Sequence, residues 1–97
     1  MTSATVRWTD PANTDFLGIV EWLQARDPQA AARVGRHILD TVEHLTEHPL
    51  LGKPGRVPDT RELGVPRYPY LIVYGVTFDQ VAILRVLHGA MLWPSQE

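Results

Sequence analysis

The sequence has 97 residues, no cysteine, 44% hydrophobic and 21% charged side chains, and a formal net charge of -2. This composition is that of a globular chain with one core, and the charge gives no support to a nucleic-acid-binding surface that covers the whole protein. No apolar run approaches the roughly 18 residues of a membrane span, and the first residues do not resemble a secretion signal. We therefore expect a single domain over residues 1–97, located in the reducing cytoplasm, without disulfides.

The first half of the chain predicts a strand and two helices. Residues 5–9, TVRWT, alternate and are rich in strand formers. The dipeptide Asp-Pro then occurs at 10–11 and at 27–28, and each copy offers a capping carboxylate and a proline suited to a first helical turn. Apolar residues at helical spacing follow both copies. We predict helices over residues 10–26 and 28–48, folded back on each other as a hairpin.

The second half of the chain predicts a loop and three strands. Residues 49–59 hold three prolines and two glycines, which excludes a regular element. Runs of strand formers follow at 60–65, 68–77 and 80–88, and the short Phe-Asp turn between the last two predicts an antiparallel pair. The predicted class is α+β: a small antiparallel sheet packed on an N-terminal helical hairpin, in the order β-α-α-β-β-β.

Both faces of the last two predicted strands are apolar when side chains are assigned by strict alternation. Such alternation sets Ile83 and Leu87 opposite Leu84 and Val86. Two helices can cover one face of the sheet, so the other face would be an exposed apolar patch of the kind that usually binds a partner. We assign four residues to that partner surface: Leu71, Val73, Leu84 and Val86. In the alternative, the tail at residues 89–97, GAMLWPSQE, folds back and closes this face.

The order of elements and three segments resemble one family over nearly the whole chain. These segments are HPLLGKPGRVPDTREL at 48–63, YPYLIVYGV at 68–76 and VAILRVLHGAMLWP at 81–94. Together they are similar to the RelE/ParE superfamily of toxins from bacterial type II toxin–antitoxin modules. The resemblance implies a compact sheet on a helical hairpin and a toxin held inactive by a cognate antitoxin partner.

Two different activities occur in this superfamily. RelE-like members cleave messenger RNA on the ribosome with basic residues on the sheet, whereas ParE-like members bind and block DNA gyrase without catalysis. Leu71 stands where the RelE-like resemblance would place an arginine, and residues 88–97 contain no Arg, Lys or Tyr. The long hairpin and the segment EHPLLGKP look ParE-like. We therefore favour gyrase as the target, with messenger RNA cleavage as the alternative and a degenerate toxin that only binds antitoxin as a third possibility.

Four residues are candidates for a catalytic site if the protein is an enzyme: Arg61, Glu62, Arg85 and His88. A histidine with a pKa of about 6.5 can act as acid or base, while an arginine holds phosphate. Because Arg85 and His88 are three residues apart, a regular strand sends them to opposite faces unless a bulge near Gly89 turns one round. The structural alternative pairs Arg85 with a carboxylate such as Glu62 and has His88 hydrogen-bonded to backbone.

No metal or cofactor site is predicted. His37, His44 and His48 lie on the predicted second helix, but no further ligand arrangement accompanies them. The loop that contains Gly52 and Gly55 lacks the P-loop pattern. We expect the three tryptophans in the core or at its edge: Trp8, Trp22 and Trp93.

Overall fold

The computed structural model describes residues 3–89 and 93–94. Within these residues the elements are β1 (Thr5–Trp8), α1 (Asp10–Gln24), α2 (Pro28–His44), β2 (Lys53–Pro54), β3 (Arg61–Gly64), β4 (Tyr70–Val76) and β5 (Gln80–His88). The predicted α+β class, a helical hairpin and a sheet, is confirmed. Most of the predicted tail, at 90–92 and 95–97, lies outside the described residues. No helix in the described part is long and apolar enough to cross a membrane.

The sheet is mixed rather than wholly antiparallel. Its strand order is β1-β5-β4-β3-β2, and β5 and β4 form the predicted antiparallel pair. β1 runs parallel to β5. Parallel neighbours need a long crossover connection, and here the helical hairpin begins that connection directly after β1. The choice of β5 as partner for β1 was not predicted, because strand alternation does not specify which strand will be the neighbour.

The predicted loop at 49–59 contains the short strand β2, which is a correction to the expectation of no regular element. Only two residue pairs form this ladder: Lys53 with Glu62 and Pro54 with Arg61. Proline is tolerated there because β2 is an edge strand, where a missing N–H leaves no neighbour unpaired. Two residues are too few to give a strand signal in the sequence.

The two Asp-Pro copies begin the helices in different ways. Asp27 caps α2 as predicted, since its carboxylate accepts the backbone N–H groups of Gln29 and Ala30 at 3.1 and 3.2 Å. In the first copy, Thr9 is the cap and Asp10 is the first helical residue. Both helices also end before the predicted positions, α1 at Gln24 and α2 at His44. The backbone N–H groups directly after His44 bond three residues back instead of four, which ends the α-helix.

The core lies between the hairpin and one face of the sheet. It contains Val34, Ile38 and Val42 from α2, and strand residues that include Ile72, Tyr74, Val81, Ile83 and Val86. Helix α1 closes one side, where Phe16 packs edge-on against Trp8 with ring centroids 5.6 Å apart. This layer leaves the opposite face of the sheet without a helix against it in the part of the chain that the structure describes.

A register shift in β5 changes which face its last residues occupy. Tyr74 pairs with Ile83 and Val73 pairs with Arg85, so Leu84 is an extra residue. Strict alternation had placed Val86 with Leu84, opposite Ile83. With the extra residue, Val86 instead joins Ile83 in the core under the helices. The predicted grouping of faces is therefore wrong beyond Leu84.

Candidate functional site

A bidentate ion pair joins the end of β5 to helix α1. The Arg85 guanidinium donates from Nε to Asp15 Oδ2 at 2.6 Å and from Nη2 to Asp15 Oδ1 at 3.0 Å. These hydrogen bonds raise the pKa of the Arg85 guanidinium, which stays charged beside the carboxylate. Arg85 is thus paired with a carboxylate, as the structural alternative expected, but the partner is Asp15 and not Glu62.

Asp15 also accepts a backbone hydrogen bond at the edge of β5 where no neighbouring strand is present among the described residues. β1 pairs with β5 only as far as Ile83, so the outward backbone groups beyond that point have no β1 partner. The backbone N–H of Val86 is one of these groups, and it donates to Asp15 Oδ2 at 3.0 Å. A buried N–H without an acceptor would cost free energy comparable to a lost hydrogen bond. Asp15 therefore stabilises both the edge of the strand and the charge of Arg85.

Glu62 is buried beside Arg56 of the preceding loop. Its Oε2 accepts the backbone N–H of Arg56 at 2.9 Å, and its Oε1 lies 3.3 Å from Nη2 of the guanidinium, an ionic contact without hydrogen-bond alignment. The same guanidinium donates from Nη1 to the carbonyl of Trp93 at 3.0 Å. A buried carboxylate needs a cation and N–H donors to offset its lost hydration, and these contacts supply both to Glu62.

Arg61 and Tyr74 hold the loop before β2. Arg61 Nη1 donates to the carbonyl of Gly52 at 2.7 Å and lies 3.4 Å from the carbonyl of Leu50. The Tyr74 hydroxyl donates to the Pro49 carbonyl at 2.9 Å and accepts the Gly52 N–H at 2.8 Å. Burial raises the pKa of Tyr74, and the Gly52 N–H and the Arg61 charge offset part of that rise. Both side chains therefore hold this loop in place through hydrogen bonds to its backbone.

His88 lies on the helix-facing side at the end of β5. It is opposite Tyr70 in the register, and the two rings meet edge to face with centroids 5.6 Å apart. Burial raises the pKa of the Tyr70 hydroxyl. Arg85, opposite Val73, faces the other side. The prediction that Arg85 and His88 lie on opposite faces is confirmed. The bulge in β5 precedes both residues, so it does not change their relation to each other.

The four catalytic candidates are not brought together. Glu62 and Arg85 share one register row on either side of Val73, which sets their backbones about 10 Å apart, two strand spacings. His88 lies on the opposite face from Arg85, and Arg61 points away from its neighbour Glu62. A proton donor or acceptor has to approach the reacting group to about 3 Å. This arrangement of the described residues does not provide a converged acid, base and phosphate clamp.

The residues predicted to bind a partner differ in exposure. Val73 and Val86 are 0% and 2% exposed, and Val86 belongs to the core beneath the hairpin. Leu71 and Leu84 are half-buried. The assignment of these four residues to a partner surface stays a prediction. Because Val73 and Val86 are buried, Leu71 and Leu84 are the two whose side chains a partner could reach in this fold.

Trp93 lies against the face of the sheet that the helices leave open. It borders a cavity together with Leu71 and Leu87, and its ring centroid is 6.0 Å from the Arg85 guanidinium carbon. Its carbonyl is held by Arg56. The expected alternative, in which the chain end folds back over this face, therefore holds at Trp93.

Two cavities meet at the ring pair of Tyr70 and His88, and we call them together the strand-end groove. The first, of about 480 Å³, lies between α1 and the sheet and is bordered by Gly18, Ile19 and Trp22. The second, of about 260 Å³, lies on the other side of the ring pair. It is bordered by Arg56, Tyr68, Leu71, Leu87 and Trp93. Tyr70 and His88 border both, so the groove crosses the end of the sheet.

Sequence reasoning missed Asp15, Arg56 and the exposure of Trp22. Asp15 had a usable signal, because it lies three residues after Ala12 and four before Ile19, inside the apolar stripe of α1. Arg56 had no comparable signal: Glu62 is six residues away, but the contact with Trp93 spans 37 residues. Trp22 is 56% exposed, so its expected place in the core or at its edge is wrong. Its ring is covered in part by the Arg26 guanidinium, 3.8 Å from the ring centroid.

Comparison with known proteins shows which family this chain resembles in sequence and in fold. The family model for the ParE toxin of type II toxin-antitoxin system, parDE, matches residues 6–93. A Sinorhizobium fredii protein named as a candidate toxin, Y4kP, is 40% identical over 94 residues, which is 97% of each chain. A chain from the chromosomal ParDE system of P. aeruginosa superposes with a TM-score of 0.80 at 25% identity, over 89% of this chain and 96% of that one.

A second solved structure widens the comparison. It is the toxin–antitoxin complex RelBE2 from Mycobacterium tuberculosis, with a TM-score of 0.62 and 28% identity over 89% of this chain and 98% of the other. Together these matches define a class, the small toxins of type II toxin–antitoxin modules. The chain belongs to the ParE toxin family of that class, which confirms the predicted RelE/ParE resemblance and supports an antitoxin as its partner.

Proposed function

We propose that this toxin acts by binding and blocking DNA gyrase, without catalysis of its own, and that a cognate antitoxin in the cytoplasm neutralises it. The observation that carries the proposal is the dispersal of the four catalytic candidates over two faces and two strands. Membership of the ParE toxin family supports the same target class.

The contacts of the candidates support a non-catalytic mechanism. Arg61 binds loop carbonyls, Glu62 binds Arg56, and Arg85 binds Asp15. A catalytic arginine needs its guanidinium free to meet the charge that develops on a phosphate. Here the guanidinium of Arg85 would have to give up its bidentate partner before it could do so.

The row of the sheet that contains Leu71 is apolar as well. Leu71 pairs with Gly64 on β3 and with Leu87 on β5. The RelE-like resemblance would require an arginine at the position of Leu71. No side chain in this row can supply the cation that messenger RNA cleavage would use.

The test compares two reactions with the same purified toxin. We expect inhibition of gyrase supercoiling that titrates with the molar ratio of toxin to gyrase, because a blocking protein acts by occupancy. Messenger RNA on ribosomes, mapped by primer extension, should stay intact. Specific cuts in the messenger at substoichiometric toxin, without any effect on supercoiling, would overturn the proposal.

The second candidate is ribosome-dependent cleavage of messenger RNA. One observation favours it: Arg56, Tyr68, His88 and Trp93 border a single cavity, where aromatic rings and a guanidinium are suited to a base and a phosphate. Primer extension distinguishes this candidate directly.

The antitoxin is tested separately from the target. Co-expression with the product of the adjoining reading frame should yield a stable complex, and amide exchange should show added protection within residues 70–88. An isolated protein that is a monodisperse monomer, with these amides already fully protected and no complex formed, would contradict the antitoxin proposal.

A further inference from the structure

We infer that the strand-end groove binds one segment of the antitoxin in which a large apolar side chain and an acidic side chain are close in sequence. The apolar side chain occupies the half beside α1, and the carboxylate meets Arg56 in the other half. This inference rests on the proposed antitoxin partner and adds the chemistry of the segment that is recognised.

The half beside α1 is shaped for an apolar side chain. Ile19 and Trp22 border it from the helix, and Val86 borders it from the sheet. Gly18 leaves the helix surface open, since a Cβ built there would meet nothing within 4 Å. Trp22 exposes 56% of its surface, and an exposed aromatic side chain beside an apolar cavity is typical of a binding surface.

The charge of Asp15, which also borders this half, is already neutralised. Its two carboxylate oxygens accept hydrogen bonds from Arg85, and one of them also accepts the Val86 N–H. The Asp15 carboxylate therefore needs no basic ligand. An apolar side chain can enter this half without leaving a charge unpaired.

The other half offers a cation. The Arg56 side chain is 55% exposed, whereas that of its partner Glu62 is 1% exposed and lies behind it. A guanidinium has five N–H donors, and the contacts to Glu62 and Trp93 leave donors for a further acceptor. No acidic side chain is among the described residues that border this half. A carboxylate is the acceptor whose two oxygens best match a guanidinium.

The two halves can hold one segment because they adjoin at shared residues. Tyr70 and His88 border both cavities, and their rings meet edge to face. A segment that crosses this ring pair places neighbouring side chains in the apolar half and the cationic half. The groove therefore selects for the combination of an apolar and an acidic residue rather than for either alone.

The experiment uses full-length toxin and the protein product of the adjoining reading frame, with the dissociation constant measured at two salt concentrations. Gly18→Leu fills the apolar half, and Ala32→Leu places a leucine on the exposed surface of α2 as its control. Arg56→Gln removes the cation, and Arg36→Gln is its control. We expect each groove variant to weaken binding about tenfold or more and each control to change it less than about twofold.

Two further measurements keep the result interpretable. Because Arg56→Gln leaves the buried Glu62 without its cation, the double variant Arg56→Gln/Glu62→Gln removes both charges and should show the same loss of affinity with a normal unfolding midpoint. In the wild type, salt should weaken the complex more than it does in Arg56→Gln, since the contact that salt screens is absent from the variant.

The outcomes separate this inference from the proposed function. A complex whose affinity does not respond to Gly18→Leu and Arg56→Gln overturns the inference and leaves the antitoxin in place. Failure of the wild type to form any complex removes both. If the same substitutions abolish binding of a short single-stranded RNA but leave antitoxin binding unchanged, the groove binds nucleic acid and the inference is wrong.

Discussion

Asp15 and Arg85, 70 residues apart in the chain, connect the first helix to the last strand through hydrogen bonds of 2.6 and 3.0 Å. The side chain of Arg85 is 33% exposed and that of Asp15 is 15% exposed, so solvent screens the pair only in part. The carboxylate carries a third bond from the Val86 N–H. This one carboxylate therefore links α1 to both the side chain and the backbone of the end of β5.

Replacing Asp15 by Ala should lower the free energy of unfolding by about 1–3 kcal/mol, because it leaves a guanidinium and a strand N–H without their acceptor. Urea denaturation measures the loss. Asp15→Asn keeps one oxygen for the Val86 N–H and should lose less than Asp15→Ala. Asp40→Ala, on the exposed surface of α2, is the control. Equal stability of Asp15→Ala and Asp40→Ala would show that the ion pair contributes nothing.

Replacing Tyr74 by Phe should also cost about 1–3 kcal/mol, although it removes a single oxygen. The side chain is 0% exposed, and its hydroxyl satisfies both the Pro49 carbonyl and the Gly52 N–H. Without the hydroxyl these two backbone groups stay buried and lose their partner. Tyr68→Phe, at a half-buried side chain, is the matched control for urea denaturation. A change at Tyr74 no larger than at Tyr68 would contradict the argument.

The stability of the protein should fall at alkaline pH. Burial raises the pKa of Tyr74 above its usual value, so the fold favours the neutral phenol. The resulting contribution is fully present below the unfolded pKa of about 10 and is lost as pH rises through the folded value. Urea midpoints measured across that range should decline more steeply for the wild type than for Tyr74→Phe. Tyr70, whose pKa burial also raises, accounts for a remaining decline.

Replacement by alanine should destabilise the protein at Gly52 but not at Gly64. A Cβ at Gly52 would lie 2.8 Å from the Glu62 carbonyl oxygen and equally close to the Tyr74 ring, so the loop would have to shift. Overpacking of this kind typically costs about 1–3 kcal/mol. At Gly64 a Cβ would meet nothing within 4 Å, and the strand should tolerate alanine. Thermal unfolding of the two variants side by side tests the contrast, and equal effects would refute it.

Replacing His88 by Gln should change toxicity little. The side chain lies on the opposite face from Arg85 and packs on Tyr70, so its expected role is structural. Loss of a general acid or base would reduce the rate by about 10²- to 10⁴-fold. Growth inhibition after induced expression, matched for protein level, measures the effect. Ribosomal messenger cuts that disappear in His88→Gln would make the end of β5 an active site and count against the gyrase proposal.

Local signals in the sequence were enough to predict the two helices and the three longer strands of the second half, β3 to β5. Asp27 and Pro28 predicted the start of α2, and the predicted bounds of β5, residues 80–88, are those observed. These features depend on neighbours in the chain, namely capping, spacing of apolar residues and alternation. The parallel position of β1 depends instead on which distant strand it meets.

The face assignment failed for a nonlocal reason. The extra residue at Leu84 is stabilised by Thr9, whose hydroxyl donates to the carbonyl of Ile83 at 2.7 Å and also lies 3.3 Å from that of Leu84. The same hydroxyl caps α1. Since one side chain 75 residues away supports the irregularity, alternation within β5 could not reveal it. The partner of Arg85 was missed on the same ground, because Asp15 becomes a neighbour only once α1 crosses β5.

The pairing of the first strand with the last has a consequence during synthesis. The described backbone partners of β1 lie in residues 79–83, and Asp15 of α1 bonds to Arg85 and Val86 near the end of β5. A nascent chain whose β5 is still inside the ribosome lacks the strand that joins β1 to β4 in this sheet. Contacts of such long range also make folding slow relative to helical proteins. A cell translating this message therefore completes the toxin's sheet only after the ribosome has read the codons of the last strand.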